Sequence, residues 1–395
     1  MAEPAGTTRY GAVMMRTFGT PLATLSHGEG ARVWDTEGRA YLDFLAGIAV
    51  NALGHAHPVF VDAVAGQAAK LAHVSNYFAS EPQLALAERL VRLVGGDRVF
   101  FTNSGTESIE AAIKVARLTG RTRILSLEGS FHGRSLGALS ITGKPALQEP
   151  FRPLLPGAEQ LPVSLDALEA ALAPGDVAAL VVEPIQGEAG VVPLPEGYLA
   201  GARRLTAARG ALLVVDEIQT GAGRTGDWFA YQAEGVVPDA VALAKGIGGG
   251  FPIGALVTFG AASDLLQAGH HGTTFGGNPL ATATADAVLA EIERAGLVAR
   301  ARTLGNELRA GILGLGSPLV TSVDGRGLLL GVALARPVAA AVARAALDRG
   351  LIVNAASPSR IRLAPPLIIG DAEIAEFLSL FADALDAVAA EGDPA

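Results

Sequence analysis

Residues 211–254 read ALLVVDEIQTGAGRTG, then DWFAYQAEGVVPD, then AVALAKGIGGGFPIG. The two apolar runs inside this stretch, Ala211–Val215 and Ala240–Ala244, have the length and β-branched content of buried strands. Asp216 follows the first and Lys245 the second, and glycines follow both. In open α/β sheets ligands bind outside the carboxyl ends of the strands. The spacing therefore puts a carboxylate and an amine into one cleft. That pair suits pyridoxal phosphate, which needs a lysine to hold it covalently and an acid facing its ring nitrogen.

An isolated lysine is ordinarily a solvated surface residue. Here the chain has only four lysines, Lys70, Lys114, Lys144 and Lys245, among 30 basic residues, and the rest are arginine. A chain with that preference that keeps Lys directly after an apolar strand points to a nucleophilic amine, because a guanidinium does not deprotonate. Gly221–Gly226 matches the dinucleotide pattern G-x-G-x-x-G. That pattern requires a helix opening at the turn and an acid ending the next strand. The glycines instead lie well past the first strand, and the candidate acid, Asp239, precedes the next one. The match is read as coincidental. Gly143-Lys144-Pro145 likewise lacks the upstream glycine of a phosphate-binding loop.

Around this stretch the 395-residue chain is half hydrophobic and 17% charged, with a net charge of −9. Its length predicts two domains, or one large domain with an appendage. The acidic balance without a basic cluster argues against a nucleic-acid partner. The absence of Cys removes disulfides, thiolate catalysis and Cys-ligated metal, and fits a reducing, cytoplasmic setting. No signal-like N-terminus and no apolar run of membrane-spanning length is expected.

In chain order, residues 1–20 read as an extended lead-in. Arg32–Asp43 reads as a hairpin about Thr36-Glu37-Gly38 that must pack on something later in the chain. His55 and His57 suit turn and cap roles better than metal ligation, since no further ligand is spaced to complete a site. His270 and His271 are discounted as ligands on the same ground. Arg98–Thr102 is a strand leading through Asn103-Ser104-Gly105-Thr106-Glu107-Ser108 into a helix. That junction reads either as an anion site of backbone N–H groups with the Ser104 and Thr106 hydroxyls, or as an ordinary N-cap. Arg123–Leu127 is followed by Phe131, which could stack on a planar ring, and by Arg134, which could clamp a carboxylate. Val177–Val182 leads into Glu183-Pro184-Ile185-Gln186-Gly187-Glu188. With Ala255–Phe259 these runs predict an α/β sheet with a cleft along one edge. From about residue 300 the pattern becomes α+β, with a boundary placed in a long helix near 285–310 and an apolar strand at Gly327–Leu334. Arg362 alternates inward with apolar neighbours, so it needs a buried partner or an anionic ligand.

With these residues in hand, the chain resembles the class III pyridoxal-phosphate aminotransferases of fold type I. The resemblance runs from GEGARVWDTEGRAYLD through NALGHAHP, NSGTES, FHGR, EPIQGE, VVDEIQTGAGRTG, ALAKGIGGGFPIGA and HGTTFGGNPL to IRLAPPL. It implies a large domain with a mostly parallel central sheet flanked by helices, at 56–300. A smaller α+β domain is built from residues 1–55 and 301–395. It also implies a homodimer with active sites at the subunit interface. By the same resemblance Lys245 holds the cofactor and moves the proton, Asp216 faces the ring nitrogen, and Gln219 meets the ring hydroxyl. Ser104, Gly105 and Thr106 hold the phosphate together with Thr274 of the other subunit. Phe131 stacks on the ring, and Glu217 and Ile218 count among the cofactor contacts. Arg134 takes a substrate carboxylate and Thr273 touches the acylated substrate. Glu188 and Arg362 form a switch pair that exposes Arg362 for 2-oxoglutarate. An apolar Ile48, six residues before Gly54, suits N2-acetyl-L-ornithine as amino donor better than ornithine. It serves 4-aminobutyrate equally, and N-succinyl-diaminopimelate remains an alternative donor.

Overall fold

The computed structural model describes residues 5–390. Its centre is a seven-stranded sheet ordered Arg98–Thr102, Gly254–Thr258, Ala240–Leu243, Leu212–Asp216, Val177–Val182, Arg123–Leu127, Ala158–Leu161. Every residue of Val177–Val182 and Ala240–Leu243 is buried, as expected of strands covered by helices on both faces. The helices Gly105–Arg117 and Tyr198–Arg209 contribute to that cover, the first burying Ile109, Ile113 and Ala116 on one stripe.

The sheet is mostly parallel, as expected, with one reversed strand. Gly254–Thr258 runs antiparallel to both its neighbours, pairing Ala240 with Thr258 and Gly254 with Thr102. The connection from Leu243 is the short Ala244–Ile253 loop, too short to carry a crossover helix back to a parallel start. The consequence is local to the cleft. This strand presents its beginning there, so Gly250, Phe251, Pro252 and Ile253 line the site and Phe259 lies at the far end.

The Arg32–Asp35 and Ala40–Asp43 hairpin forms as expected. Its partner later in the chain is Leu351–Ile352, which pairs parallel with Ala40–Asp43. Phe44 stacks on Phe377 of the last helix, Asp371–Ala390, at 4.3 Å between ring centres. A second four-stranded sheet contains Val320–Arg326, Leu329–Leu334, Arg360–Leu363 and Asn354–Ser357.

Several expectations are corrected. The lead-in is not extended throughout, since Ala5–Val13 is helical; residues 1–4 lie outside the described residues. The strand expected at Gly327–Leu334 forms but starts at Leu329, because Gly327, at φ +53°, sits in the hairpin turn after Val320–Arg326. The single helix expected near 285–310 is two, Pro279–Arg294 and Leu297–Gly314, broken at Gly296 with φ 64°. Among the described residues no helix is long and apolar enough to cross a membrane.

Candidate active site

A cavity of about 450 Å³ opens at the sheet edge where these strands end. Lys245 and Asp216 both line it, as do Ser104, Gly105, Thr106, Phe131, Arg134, Glu188, Ile218 and Gln219. The side chains arrive from five strand ends and the loops beyond them, so no local segment could form the site alone.

Asp216, the last residue of its strand, is 3% exposed. Its Oδ1 accepts from the Ile218 N–H at 3.0 Å, and its Oδ2 lies 2.8 Å from His132 Nδ1. Burial pulls the His132 pKa down, but the hydrogen bond and charge of Asp216 outweigh it and hold the imidazole above its ordinary value. Glu183, at the end of Val177–Val182, is also buried. It accepts from the N–H groups of Phe131 and Gly187 at 2.8 and 3.2 Å. Burial raises its carboxyl to about 7, opposed by His132 and assisted by Asp216. His132 and Glu183 also line the cavity and went unmarked in the sequence reading. The available signal was position: Glu183 follows its strand as Asp216 ends its own.

Lys245 follows Ala240–Leu243 on a short turn and takes a left-handed backbone, φ 48°. That conformation is strained for a side chain with a Cβ and is held by the packed glycine loop around it. Burial lowers its ammonium pKa, while Glu188 works against the shift. Gly105 opens the helix Gly105–Arg117, where the first N–H groups have no intrahelical acceptor. A Cβ on Gly105 would stand 2.9 Å from Ile218 side-chain carbons, so the backbone is left bare on that side. The hydroxyls expected to reach toward an anion have local partners. Ser104 Oγ caps the helix through the Glu107 N–H at 3.4 Å, and Thr106 Oγ1 lies 2.6 Å from Ser135 Oγ. The N-cap reading of this turn is what these hydroxyls show, and Ser104, Gly105 and Thr106 also line the cavity.

Phe131 is half-buried, with the exposed Arg134 guanidinium 5.6 Å from its ring centre. Arg362 is 2% exposed and does not line the cavity. It sits behind Glu188 and Gln219, which do. Its Nη1 donates to Glu188 Oε1 and to Gln219 Oε1, the latter at 3.3 Å, and Nη2 donates to Asn354 Oδ1 at 2.8 Å. Its buried Nε has no partner. Although burial disfavours its charge, Glu188 is held below the ordinary carboxyl range by Arg362, and then by Lys245 and Lys144. Gln219, expected at a ring hydroxyl, faces this guanidinium.

Three expected contacts lie elsewhere. Glu217 points to the opposite side of the strand end from Asp216 and does not line the cavity. It accepts from the Thr220 hydroxyl and from the Tyr231 N–H at 2.9 Å. The alternation of successive side chains at a strand end is the reason. Burial raises its carboxyl to about 7. The folded chain therefore keeps a proton that the unfolded chain releases near pH 4.5, and stability falls as pH rises from that value through 7. Glu217→Gln should be more stable than the parent at pH 8, by up to about 3 kcal/mol, with little difference at pH 4. Urea unfolding at both pH values reads this; an equal difference at both would contradict it. Thr273 and Thr274 also lie outside the cavity of their own chain. Thr273 Oγ1 accepts from Asn103 Nδ2 at 3.3 Å, and Thr274 is exposed.

The histidines take structural places. His57 caps the helix Pro58–Ala68 by accepting from the Val59 N–H, and His55 Nε2 lies 2.9 Å from Asp43 Oδ2. Asp43 also accepts from the Leu45 and Ala46 N–H groups, where the chain enters a turn in which Ala46, Gly47, Ile48 and Ala49 all have positive φ. This left-handed turn leaves Ile48 exposed and delivers Val50 to the cavity wall. Gly221–Gly226 forms turns, and the helix that the rejected dinucleotide reading would require does not open after it.

The donor set fits pyridoxal phosphate. A cradle of bare helix-start N–H groups, a buried carboxylate, an aromatic ring and a primary amine surround one cavity. Comparison with known proteins agrees. The family model described as aminotransferase class-III matches residues 14–385. The acetylornithine aminotransferase of Streptomyces coelicolor is 54% identical over 397 aligned positions, covering 100% of this chain and 99% of that protein. Among solved structures, the ornithine aminotransferase of Toxoplasma gondii superposes with a TM-score of 0.93 at 33% identity, covering 97% of this chain and 95% of the other. The N-acetylornithine aminotransferase of Stenotrophomonas maltophilia gives 0.84 at 38% identity, covering 97% and 99%. The chain belongs to the class III aminotransferases, pyridoxal-phosphate-dependent enzymes of fold type I.

Proposed function

We propose that this enzyme moves the terminal amino group of N2-acetyl-L-ornithine to 2-oxoglutarate, giving N-acetyl-L-glutamate 5-semialdehyde and L-glutamate, a step of arginine biosynthesis in the cytoplasm. The observation that carries the reading is Arg362, buried directly behind the cavity and covered by Glu188. One cavity must take two substrates in turn. The donor carries a single carboxylate beyond its reacting amine, whereas 2-oxoglutarate carries two. A cationic seat that can be covered and uncovered serves both.

In this reading the N–H groups at the start of Gly105–Arg117, joined by Thr274 of a second copy, hold the phosphate. Phe131 lies against the ring, and Asp216, hydrogen-bonded to His132, faces the ring nitrogen. Bound there, pyridoxal phosphate supplies an electron sink for the carbon that loses its proton. Lys245 would hold the cofactor and, once released, would take the proton from the donor carbon bearing the amine and pass it on to the cofactor. Arg134 binds the donor carboxylate. Glu188 neutralises Arg362 while the donor is bound and leaves it when 2-oxoglutarate arrives. Residues 1–55 and 301–395 act as one smaller unit packed beside 56–300, a division supported by the pairing of Ala40–Asp43 with Leu351–Ile352.

The names of the relatives and the apolar residue at position 48 favour an acylated donor over free ornithine. A panel of N2-acetylornithine, ornithine, 4-aminobutyrate and N-succinyl-diaminopimelate, ranked by kcat/KM with 2-oxoglutarate as acceptor, tests this. N2-acetylornithine should lead ornithine by at least about tenfold, the worth of one buried polar group left without a partner. Ornithine in first place would refute the assignment.

A homodimer completes the site. Tyr77, Phe78 and Phe275 are 92%, 69% and 59% exposed. Asn76 Nδ2 donates to the Thr273 and Gly276 carbonyls, each at 3.2 Å, so these rings and Thr274 share one apolar patch that a second copy would cover. Sedimentation should give a species of twice the 40.2 kDa chain mass. Thr274→Ala should weaken cofactor retention about tenfold, the loss of one hydrogen bond to a charged phosphate. A fully active monomer would contradict both.

A further inference from the structure

If Glu188 leaves Arg362 when the keto acid binds, its carboxylate must go somewhere that is neither bulk water nor the substrate's own seat. Glu188 stands in the turn between Ile185–Gln186 and Val192–Pro193. That turn is pinned at its base, where Gln186 Nε2 donates to the Glu128 carbonyl at 2.9 Å and the Gly187 N–H donates to Glu183. Its tip is pinned by a lysine: Lys144 Nζ donates to the backbone carbonyl of Glu188 at 2.7 Å. An ammonium at that carbonyl lies within about 5 Å of the Glu188 Cα, inside the reach of a glutamate side chain. Rotation about the side-chain bonds of Glu188, with the backbone fixed, can therefore carry the carboxylate from Arg362 to Lys144.

The other cations near this carboxylate are committed. Lys245 is the reacting amine, Arg134 lies over Phe131 as the donor's clamp, and Arg360 is paired with Asp324. Lys144 is half-buried and no carboxylate is bonded to its Nζ. Burial holds its ammonium pKa below the ordinary value, and Glu188 is the largest influence acting against that shift.

We propose that Lys144 is the second seat of the Glu188 carboxylate, occupied when Arg362 is released to the α-carboxylate of the keto acid. Lys144 is then a positioning residue that favours 2-oxoglutarate without touching it. This rests on the Glu188–Arg362 exchange proposed above.

The test uses the holoenzyme and glutarate, an unreactive dicarboxylate, as probe. Calorimetry gives its Kd, and the donor half-reaction with N2-acetylornithine is followed separately. Lys144→Gln should raise the glutarate Kd about tenfold, the worth of one charge-assisted hydrogen bond, and leave the donor half-reaction within about twofold. Lys144→Arg should restore the affinity. In a Glu188→Ala background, where no carboxylate needs a seat, Lys144→Gln should change the glutarate Kd by less than about twofold. The proposal is overturned if the Lys144→Gln effect survives in that background, if the donor half-reaction falls in parallel, or if Lys144→Gln changes nothing. Glu188→Ala alone separates the two ideas. If it alters neither glutarate affinity nor donor use, the exchange itself fails, whatever Lys144 does.

Discussion

Lys245→Ala should lower turnover of N2-acetylornithine by about 10⁴-fold while leaving thermal unfolding near that of the parent. The size follows from the absence of a substitute. Of the four lysines in the chain, Lys245 alone lines the cavity. Lys144 Nζ is bonded to the Glu188 carbonyl, and a guanidinium such as that of Arg134 is no substitute for an amine base. Burial lowers the Lys245 pKa, so the replacement removes an amine whose uncharged form is more accessible than that of a surface lysine. Small primary amines added to the Lys245→Ala protein should return part of the lost rate, since they can carry the proton without being tethered. They should return nothing to Lys245→Arg, whose guanidinium fills the space and keeps its proton. Turnover of Lys245→Ala within tenfold of the parent would remove Lys245 from the chemistry.

The sheet strands and this lysine were legible because their signals are local. Val177–Val182 and Ala240–Leu243 are continuous apolar runs, and a charge closing such a run falls at the sheet edge whatever surrounds it. What escaped the sequence depended on contacts between distant residues. The reversed direction of Gly254–Thr258 follows from loop length, which was visible in the sequence but not weighed. Ala158–Leu161 went unnoticed because AEQL carries no alternation and its residues are only half-buried at the sheet margin. His132 reads like any polar residue in a turn until the fold brings Asp216 to it across 84 positions. Glu217 was grouped with Asp216 by adjacency, yet neighbouring residues at a strand end face opposite ways. Arg362 was the reverse case. Its inward phase in Arg360–Leu363 announced an unmet charge, although the partners Glu188 and Asn354 could not both be named beforehand.

That unmet charge makes Arg362→Ala the second large effect, and a selective one. Glu188, Gln219 and Asn354 all bond this guanidinium, which is buried and fixed before any substrate arrives. Removing a buried, hydrogen-bonded charge from a binding pair costs roughly 2–5 kcal/mol, so kcat/KM for 2-oxoglutarate should fall by about 10³-fold. The donor half-reaction should change by less than about tenfold, because Arg134 rather than Arg362 meets the donor carboxylate and Lys245 remains beside Glu188. Arg362→Lys should recover little. A compact ammonium cannot bond Glu188, Gln219 and Asn354 from one planar fork, and its preferred hydration is costly in a site 2% exposed. The two half-reactions measured in single turnover separate the possible roles. A loss confined to the keto-acid half places Arg362 at the acceptor's α-carboxylate. An equal loss in both halves would mean that the guanidinium only braces Arg360–Leu363 against the cavity wall, and the exchange of substrates at a covered cation would then have to be abandoned.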